Sequence, residues 1–394
     1  MKRSASSPLE RAAVLTRQIS KRVRWDAYRV GVRARRLVWD LLCDKQKLAS
    51  LDRGLLWSNA ADWDFPVELR AGPNLSMPTG VQARECLYRL QGVLLEPHCG
   101  YAILPPGTVI DDSLHASDHT RHMRHMISFS GLPKLRDVHA VARGSIRPRK
   151  LARAVSFRHP YDLNYYHFTV DVATRLELLA RFGVPDDVVH VISPVLFKQP
   201  FFQDVLRQPG FARRNWLVQD EFLEVEELYL ARPLDGGTPE GLNYYREALG
   251  APAPDRAQGE RVFLDRSPTR GRAAANREQI LPVIERAGFR VVDADGLSVL
   301  EQAELFSRCR VLAGLHGAGL TNMIFRGTAP LDVIEIFPPL ETSVEYAVLA
   351  RRLGYGYHHM RGTNPQASQR FANFTVDSER LGRLLETTSS AAVP

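Results

Sequence analysis

Between residues 261 and 359 short apolar runs alternate regularly with helix-periodic stretches, and nothing else in the chain limits its fold so tightly. Strands are predicted at 261–265, 289–293, 310–315, 331–336 and 355–359, with helices over 274–287, 298–307, 318–325 and 342–353. When each strand is followed by a helix, the connections are crossovers of one hand and the strands pair in parallel, covered on both faces. A shorter series precedes it: a strand at 154–157, a helix from Tyr161 to Ala180, a strand at 188–193, a helix at 198–207 and a strand at 224–230. Phe168, Val172, Leu176 and Leu179 fall at helical spacing, with Asp162 or Asn164 placed to cap that helix. The expected class is α/β, with two facing Rossmann-like domains and the ligand between the carboxyl ends of their strands.

The 394 residues suit two domains of about 150 to 200 residues each. The expected divisions are a basic arm over 1–44, an irregular, partly β region over 45–150, a first Rossmann-like domain over 151–250, a second over 260–360, and a C-terminal tail over 361–394. Gly92–Leu95 and Tyr101–Ile110 supply the strands of the β-rich region, and the Ala-, Pro- and Gly-rich stretch Gly250–Gly259 supplies the boundary between domains.

The net charge of +8 first suggests a nucleic-acid partner, but its distribution does not. Residues 1–40 hold eleven Lys or Arg against Glu10, Asp26 and Asp40, so the whole excess lies in this arm and no nucleic acid is expected. Trp25, Tyr28, Val32, Val38 and Trp39 interleave with its arginines. Such a segment could lie as a basic amphipathic helix on an anionic bilayer, or stay a solvated helix or tail. No window reaches about 18 apolar residues and no secretory signal follows the first basic residues, so the expected location is cytoplasmic, peripheral to the inner membrane face where the arm binds lipid. Cys43, Cys86, Cys99 and Cys309 form no CxxC pair and no zinc spacing, which points to a reducing compartment.

Arg310–Asn322 (RVLAGLHGAGLTN) reads as a buried strand running into a glycine-rich turn and a helix start. His316 stands at the strand's end, Gly317 and Gly319 allow close approach, and the first helical N–H groups of Gly317 and Ala318 face an anion. Upstream, Arg266 and Arg270 leave the strand at 261–265, with Arg272 and Asn276 just beyond; guanidinium groups and a helix N-terminus together suit a diphosphate. Glu335, at the end of the next strand, is placed to accept hydrogen bonds from ribose hydroxyls, or else is a satisfied acid at a domain rim. Glycine-rich turns of this kind also occur for packing alone.

Taken in order, Asn164–Asp171 (NYYHFTVD), Arg266 with Arg270 and Asn276–Glu278, Leu297–Gln302 (LSVLEQ), Leu315–Asn322 and Val333–Pro338 (VIEIFP) resemble glycosyltransferase family 61. The resemblance covers about residues 150–360 and leaves the first 90 residues unassigned; Phe168 stands where the family more often has tryptophan, and Gly319 where it often has alanine. It implies a GT-B fold, a nucleotide-sugar donor, usually a uridine diphosphate sugar, and inversion at the anomeric carbon without an obligatory metal or other cofactor. The donor-binding set it implies is Arg266, Arg270, Asn276, His316, Gly317, Ala318, Gly319, Asn322 and Glu335. The acceptor would be a glycan or lipid-linked hydroxyl in surface or capsular polysaccharide synthesis of bacterial type.

Inverting transfer also needs a general base. His167 and Asp171 stand at i and i+4 on one helix face, and His167 titrates nearest neutrality; the alternative is that His167 packs on the sheet while Asp171 pairs with Arg175. Asp293-Ala-Asp295 fits a metal-binding DxD but is expected to end a middle strand of the second sheet, whereas metal-dependent sugar transferases need their nucleotide-binding sheet at the start, which disfavours that role. His115, His119, His122 and His125 have helical metal-ligand spacing in a polar segment without cysteine, more simply a charged loop. No G-x-S-x-G elbow or GxxxxGK[ST] loop supports a hydrolase or P-loop kinase. A non-catalytic nucleotide-sugar or polyanion binder is the alternative function.

Overall fold

The computed structural model describes residues 45–46, 55–62, 82–105, 108–110, 137, 140–141, 143–232, 236–256, 259–341, 343–364 and 372–388. The basic arm and the histidine-rich 111–125 segment lie outside the described residues. Two sheets organise the chain. The first contains β1 (Lys45–Gln46), β2 (Leu55–Asp62), β3 (Gln82–Leu95), β4 (Ala102–Leu104), β5 (Thr108–Ile110), β6 (Arg149–Ser156), β7 (Val189–Ile192), β8 (Asn215–Val218) and β9 (Leu223–Arg232), in the order β1-β5-β4-β3-β9-β6-β7-β8 with β2 also on β3. β6, β7, β8 and β9 pair in parallel, whereas β3 lies antiparallel on β9 from Cys86↔Arg232 to Leu95↔Leu223. The strands of the 82–110 region therefore extend the first α/β sheet instead of forming a layer of their own.

The second sheet is β10 (Glu260–Leu264), β11 (Arg290–Val292), β12 (Cys309–Leu315), β13 (Asp332–Phe337) and β14 (Gly356–Arg361), all parallel in the order β11-β10-β12-β13-β14. The crossovers run outward from β10 on one side and from β12 on the other. Their carboxyl ends thus leave a crevice between β10 and β12, the topological switch point where open parallel sheets bind ligands.

Local chemistry accounts for the connecting helices. Ser298 and Glu301 form a reciprocal capping box at the start of the Val299–Ser307 helix. The Pro239–Leu249 helix begins on a Thr238 cap with proline in its first turn and stops at Gly250, whose φ of 69° closes a left-handed C-cap. The helix predicted from 161 to 180 is broken into an α turn (Tyr165–His167), a π segment (Phe168–Val172) and an α-helix (Arg175–Arg181). Thr169, Val170 and Val172 lose χ1 freedom in a regular helix, and all three are buried. π segments widen the helix locally and are frequent at functional sites.

A continuous core joins the sheets: Val155, Phe157 and Phe168 belong to the same buried cluster as Val262, Leu264, Leu312 and Leu320. Phe168 packs against the rings of Phe201, Phe202 and Tyr245. The opposite face of the second sheet is covered by the Arg277–Arg286 helix and by the Ser378–Thr387 helix, which inserts Leu381 and Leu385. The 361–394 segment is therefore in part a structural element of the second unit. Among the described residues, no helix is long and apolar enough to cross a membrane.

Candidate active site

At the switch point, β12 delivers His316 and Gly317, and a nine-residue 3-10 helix, Ala318–Arg326, starts on Gly317. Its first N–H groups have no acceptor within the helix and point out of its N-terminal end. Gly317 is extended at φ 169°, so glycine is not there for backbone freedom. Proximity requires it: a Cβ at this position would collide with the Arg266 guanidinium, which is steered there by donation from its Nε to the Gly271 carbonyl at 2.8 Å. Arg272, next in the same loop, has φ of 56°, the one positive value found at a non-glycine among the described residues. A side chain held in that region costs about 1–3 kcal/mol, and such strain gathers at binding sites. The cleft around Arg266 and Gly317 is also lined by Leu264, Asp265, Asp293, Asp295, Leu315 and Gly319.

His316 is almost wholly buried between Phe337 and Tyr346. Its Nδ1 lies 2.5 Å from Glu335 Oε1, and its Nε2 lies 3.6 Å from Glu341 Oε2. The second Glu335 oxygen accepts from the Tyr357 hydroxyl at 2.5 Å. Burial is the largest influence on Glu335 and pushes its carboxyl up, against the bonds from His316 and Tyr357 that pull it down. With no exposed surface and both oxygens engaged, Glu335 holds His316 and does not present a carboxylate to the cleft, as the ribose reading of this residue requires. Glu341 is equally buried and also faces Arg272 at 3.5 Å. The turn carrying it is fixed by Arg361, which donates to the carbonyls of Pro338, Pro339 and Glu341.

Two further residues of the expected donor set are engaged elsewhere. Asn276 exchanges two hydrogen bonds with the Val376 backbone, at 2.9 and 2.8 Å, and so clips the C-terminal segment to the second unit. Asn322, fully buried, accepts from the Tyr165 hydroxyl at 3.0 Å and donates to Gln302 at 2.7 Å. It is a latch between the two units. Arg270 ends the Pro268–Arg270 turn, and its side chain lies outside the described residues. Asp265, beside Arg266, is paired with Arg277 at 2.7 Å.

On the first unit, Asn164 caps the Tyr165–His167 turn by accepting from the Tyr166 N–H at 2.9 Å. The π segment that follows brings His167 Nδ1 to 2.7 Å from Asp171 Oδ2. His167 stacks on Tyr161 and His159, at centroid distances of 5.0 and 5.4 Å, and keeps 21% of its side chain exposed, enough to meet a ligand. Arg175 Nε donates to the Asp171 carbonyl, and its NH1 to the carbonyls of Ser156 and Arg158. The Tyr165–His167 turn packs directly on the Ala318–Arg326 helix through the Tyr165–Asn322 bond.

Asp293 and Asp295 follow β11, an edge strand of the second sheet where sequence reasoning expected a middle one, and both line the cleft with Arg266. Asp293 is committed to capping, accepting the Asp295 N–H at 3.0 Å. The one group of three metal-ligating side chains among the described residues is His159, His167 and Asp171, so neither aspartate joins such a set. Sequence reasoning missed His159, Tyr161, Glu341 and Tyr357. Position was the available sign for the first three, since they follow the carboxyl ends of β6 and β13, where open sheets gather functional groups.

Residues 165–332 match the family model described as Glycosyltransferase 61. The match supports a place in glycosyltransferase family 61. It spans the π segment, the arginine loop and the glycine turn, and supports glycosyl transfer as a function. Among solved structures the chain is similar to the dodecameric iron-containing heptosyltransferase TibC in complex with ADP-D-beta-D-heptose, with 12% identity over 62% of this chain and 78% of that one, and a TM-score of 0.30. A likeness at that score is too slight to argue from. No curated protein matches the chain.

Proposed function

We propose that this protein is an inverting glycosyltransferase of GT-B type that moves a sugar from a nucleotide diphosphate donor, a uridine diphosphate sugar, to a glycan or lipid-linked hydroxyl without a metal ion. The observation that supports the proposal is the packing of the Tyr165–His167 turn onto the helix that starts at Gly317, through Tyr165 and Asn322; in this reading the turn supplies the base and the helix start the anion site. The diphosphate would lie against Arg266 and the N–H groups of Gly317 and Ala318. Asp293 and Asp295, in place of Glu335, would accept from the nucleoside.

In the reaction, His167 Nε2 takes the proton of the acceptor hydroxyl as its oxygen bonds to the anomeric carbon. The bond from that carbon to the diphosphate oxygen breaks and the diphosphate keeps the electron pair. Because negative charge grows there, a guanidinium and preoriented N–H groups lower the barrier more than they lower the ground state. Asp171 orients His167. A basic arm over 1–40 that binds anionic lipid would hold the enzyme, at the inner membrane face, near lipid-linked acceptors.

The test begins with a thermal-shift screen of nucleotide sugars, since a ligand that binds only the native state raises its stability. With the donor in hand, His167→Ala should lower kcat at least a hundredfold and leave donor affinity within a few-fold. Wild-type turnover by that variant would move the base elsewhere, and donor binding without any turnover by the natural protein would favour the non-catalytic binder.

A further inference from the structure

We infer that His159 is a positioning residue that sets the proton of the base, acting on His167 through Asp171; the inference rests on the transfer reading in taking His167 as base. The series begins at a backbone group. The Tyr161 N–H donates to His159 Nδ1 at 3.1 Å. A neutral imidazole has one donor and one acceptor nitrogen, so a ring that accepts at Nδ1 carries its proton on Nε2. That Nε2 faces Asp171 Oδ2 across 4.0 Å, with the His159 side chain only 1% exposed.

The same Asp171 oxygen lies 2.7 Å from His167 Nδ1. An ionised carboxylate only accepts, so His167 must carry its proton on Nδ1 and leave a lone pair on Nε2. Histidine free in water prefers the opposite tautomer, which would present a useless N–H to an acceptor hydroxyl. His159 favours the productive form in two ways. Its Nε2–H, too distant at 4.0 Å for a hydrogen bond, favours the ionised form of Asp171 electrostatically from within a buried site, and its ring, with that of Tyr161, stacks on His167 at interplanar angles of 29° and 28° and fixes the plane in which Nδ1 points.

The three side chains also offer ligand atoms within 4.8 Å of one another, a donor set suited to a transition metal. Ligation by His159 Nε2, however, would require removing the proton that the Tyr161 N–H keeps there. The geometry therefore points to orientation by the field of the His159 Nε2–H and by ring stacking, and not to an ion site.

Nitrogen-15 NMR on histidine-labelled protein at pH 8 reads the tautomers directly. The expected result is His159 protonated at Nε2 and His167 at Nδ1. In His159→Phe, which keeps a flat ring and loses both nitrogens, His167 should shift toward the Nε2–H tautomer and kcat should fall about tenfold with donor KM unchanged. Asp171→Asn should move the His167 tautomer further in the same direction. His159→Gln, whose amide N–H can reach Asp171, should restore part of the rate. Finding His167 protonated at Nε2 in the natural protein, or finding tautomer and kcat both unmoved in His159→Phe, overturns the inference. Unchanged turnover in His167→Ala alongside the expected tautomers would instead remove the base reading.

Discussion

Gly317 lies so close to the Arg266 guanidinium that any side chain at 317 would occupy the space of NH1. The colliding atom is the far end of a flexible side chain, and Gly317 has an extended backbone that alanine also adopts. Gly317→Ala should therefore fold with a melting temperature within a few degrees of the natural protein, yet bind the donor at least tenfold more weakly because Arg266 is displaced. Isothermal titration with the nucleotide sugar checks it.

Arg266→Ala should cost about 1.5–3 kcal/mol of donor binding, the range for a charge-assisted hydrogen bond. Since Gly317→Ala acts through Arg266, the double variant should bind no worse than Arg266→Ala alone. Additive losses in that cycle would mean that Gly317 contacts the ligand independently of the arginine.

Tyr357→Phe separates support from binding. It leaves one oxygen of the buried Glu335 without its donor, a loss of about 1–3 kcal/mol in urea unfolding. Donor affinity should change little, because His316 still holds the other oxygen.

His190 gives a pH dependence. Burial among Phe157 and Trp216 pushes its pKa down to about 4, below the usual value for histidine, with Arg214 adding to the effect. The unfolded chain takes up this proton first as pH falls. The contribution is thus fully present above about pH 6.5, declines as pH falls through 6.5 toward 4, and is fully lost below, amounting to about 3 kcal/mol. Urea midpoints between pH 7 and 4 should fall more steeply for the natural protein than for His190→Phe.

Chelation should leave transfer intact. Asp293→Ala combined with Asp295→Ala should weaken nucleotide-sugar binding while leaving inorganic pyrophosphate binding unchanged or stronger. Loss of activity with EDTA and recovery with Mn²⁺ would overturn the metal-free proposal.

The parallel architecture of the second sheet was legible because each strand is a compact apolar run: β10 and β12 begin one residue before their predicted starts. β3 was visible only at Gly92–Leu95, since Gln82, Arg84, Glu85, Arg89 and Gln91 interrupt its pattern along a 14-residue strand. The Ser378–Thr387 helix was hidden in a polar tail, although Asp377 caps it and Leu381 and Leu385 share a face. Motif residues were found more readily than their partners. Asn276 bonds to a residue 100 positions away, and Asn322 to one 157 positions away, and spacing along a chain carries no trace of such pairings. Glu335 was located but given the wrong surroundings, because burial depends on what Tyr357 and His316 bring to it.

Phe168 and Leu320 share one uninterrupted apolar interior across the two units, and this restricts how substrates arrive. Swinging the units apart like a hinge would wet that interior, at about 25 cal/mol for every Å² exposed. Admission of ligands should therefore depend on small displacements of the segments at the strand ends, those bearing Arg266, Tyr161 and Glu341, while the His167 turn and the Gly317 loop keep their separation throughout.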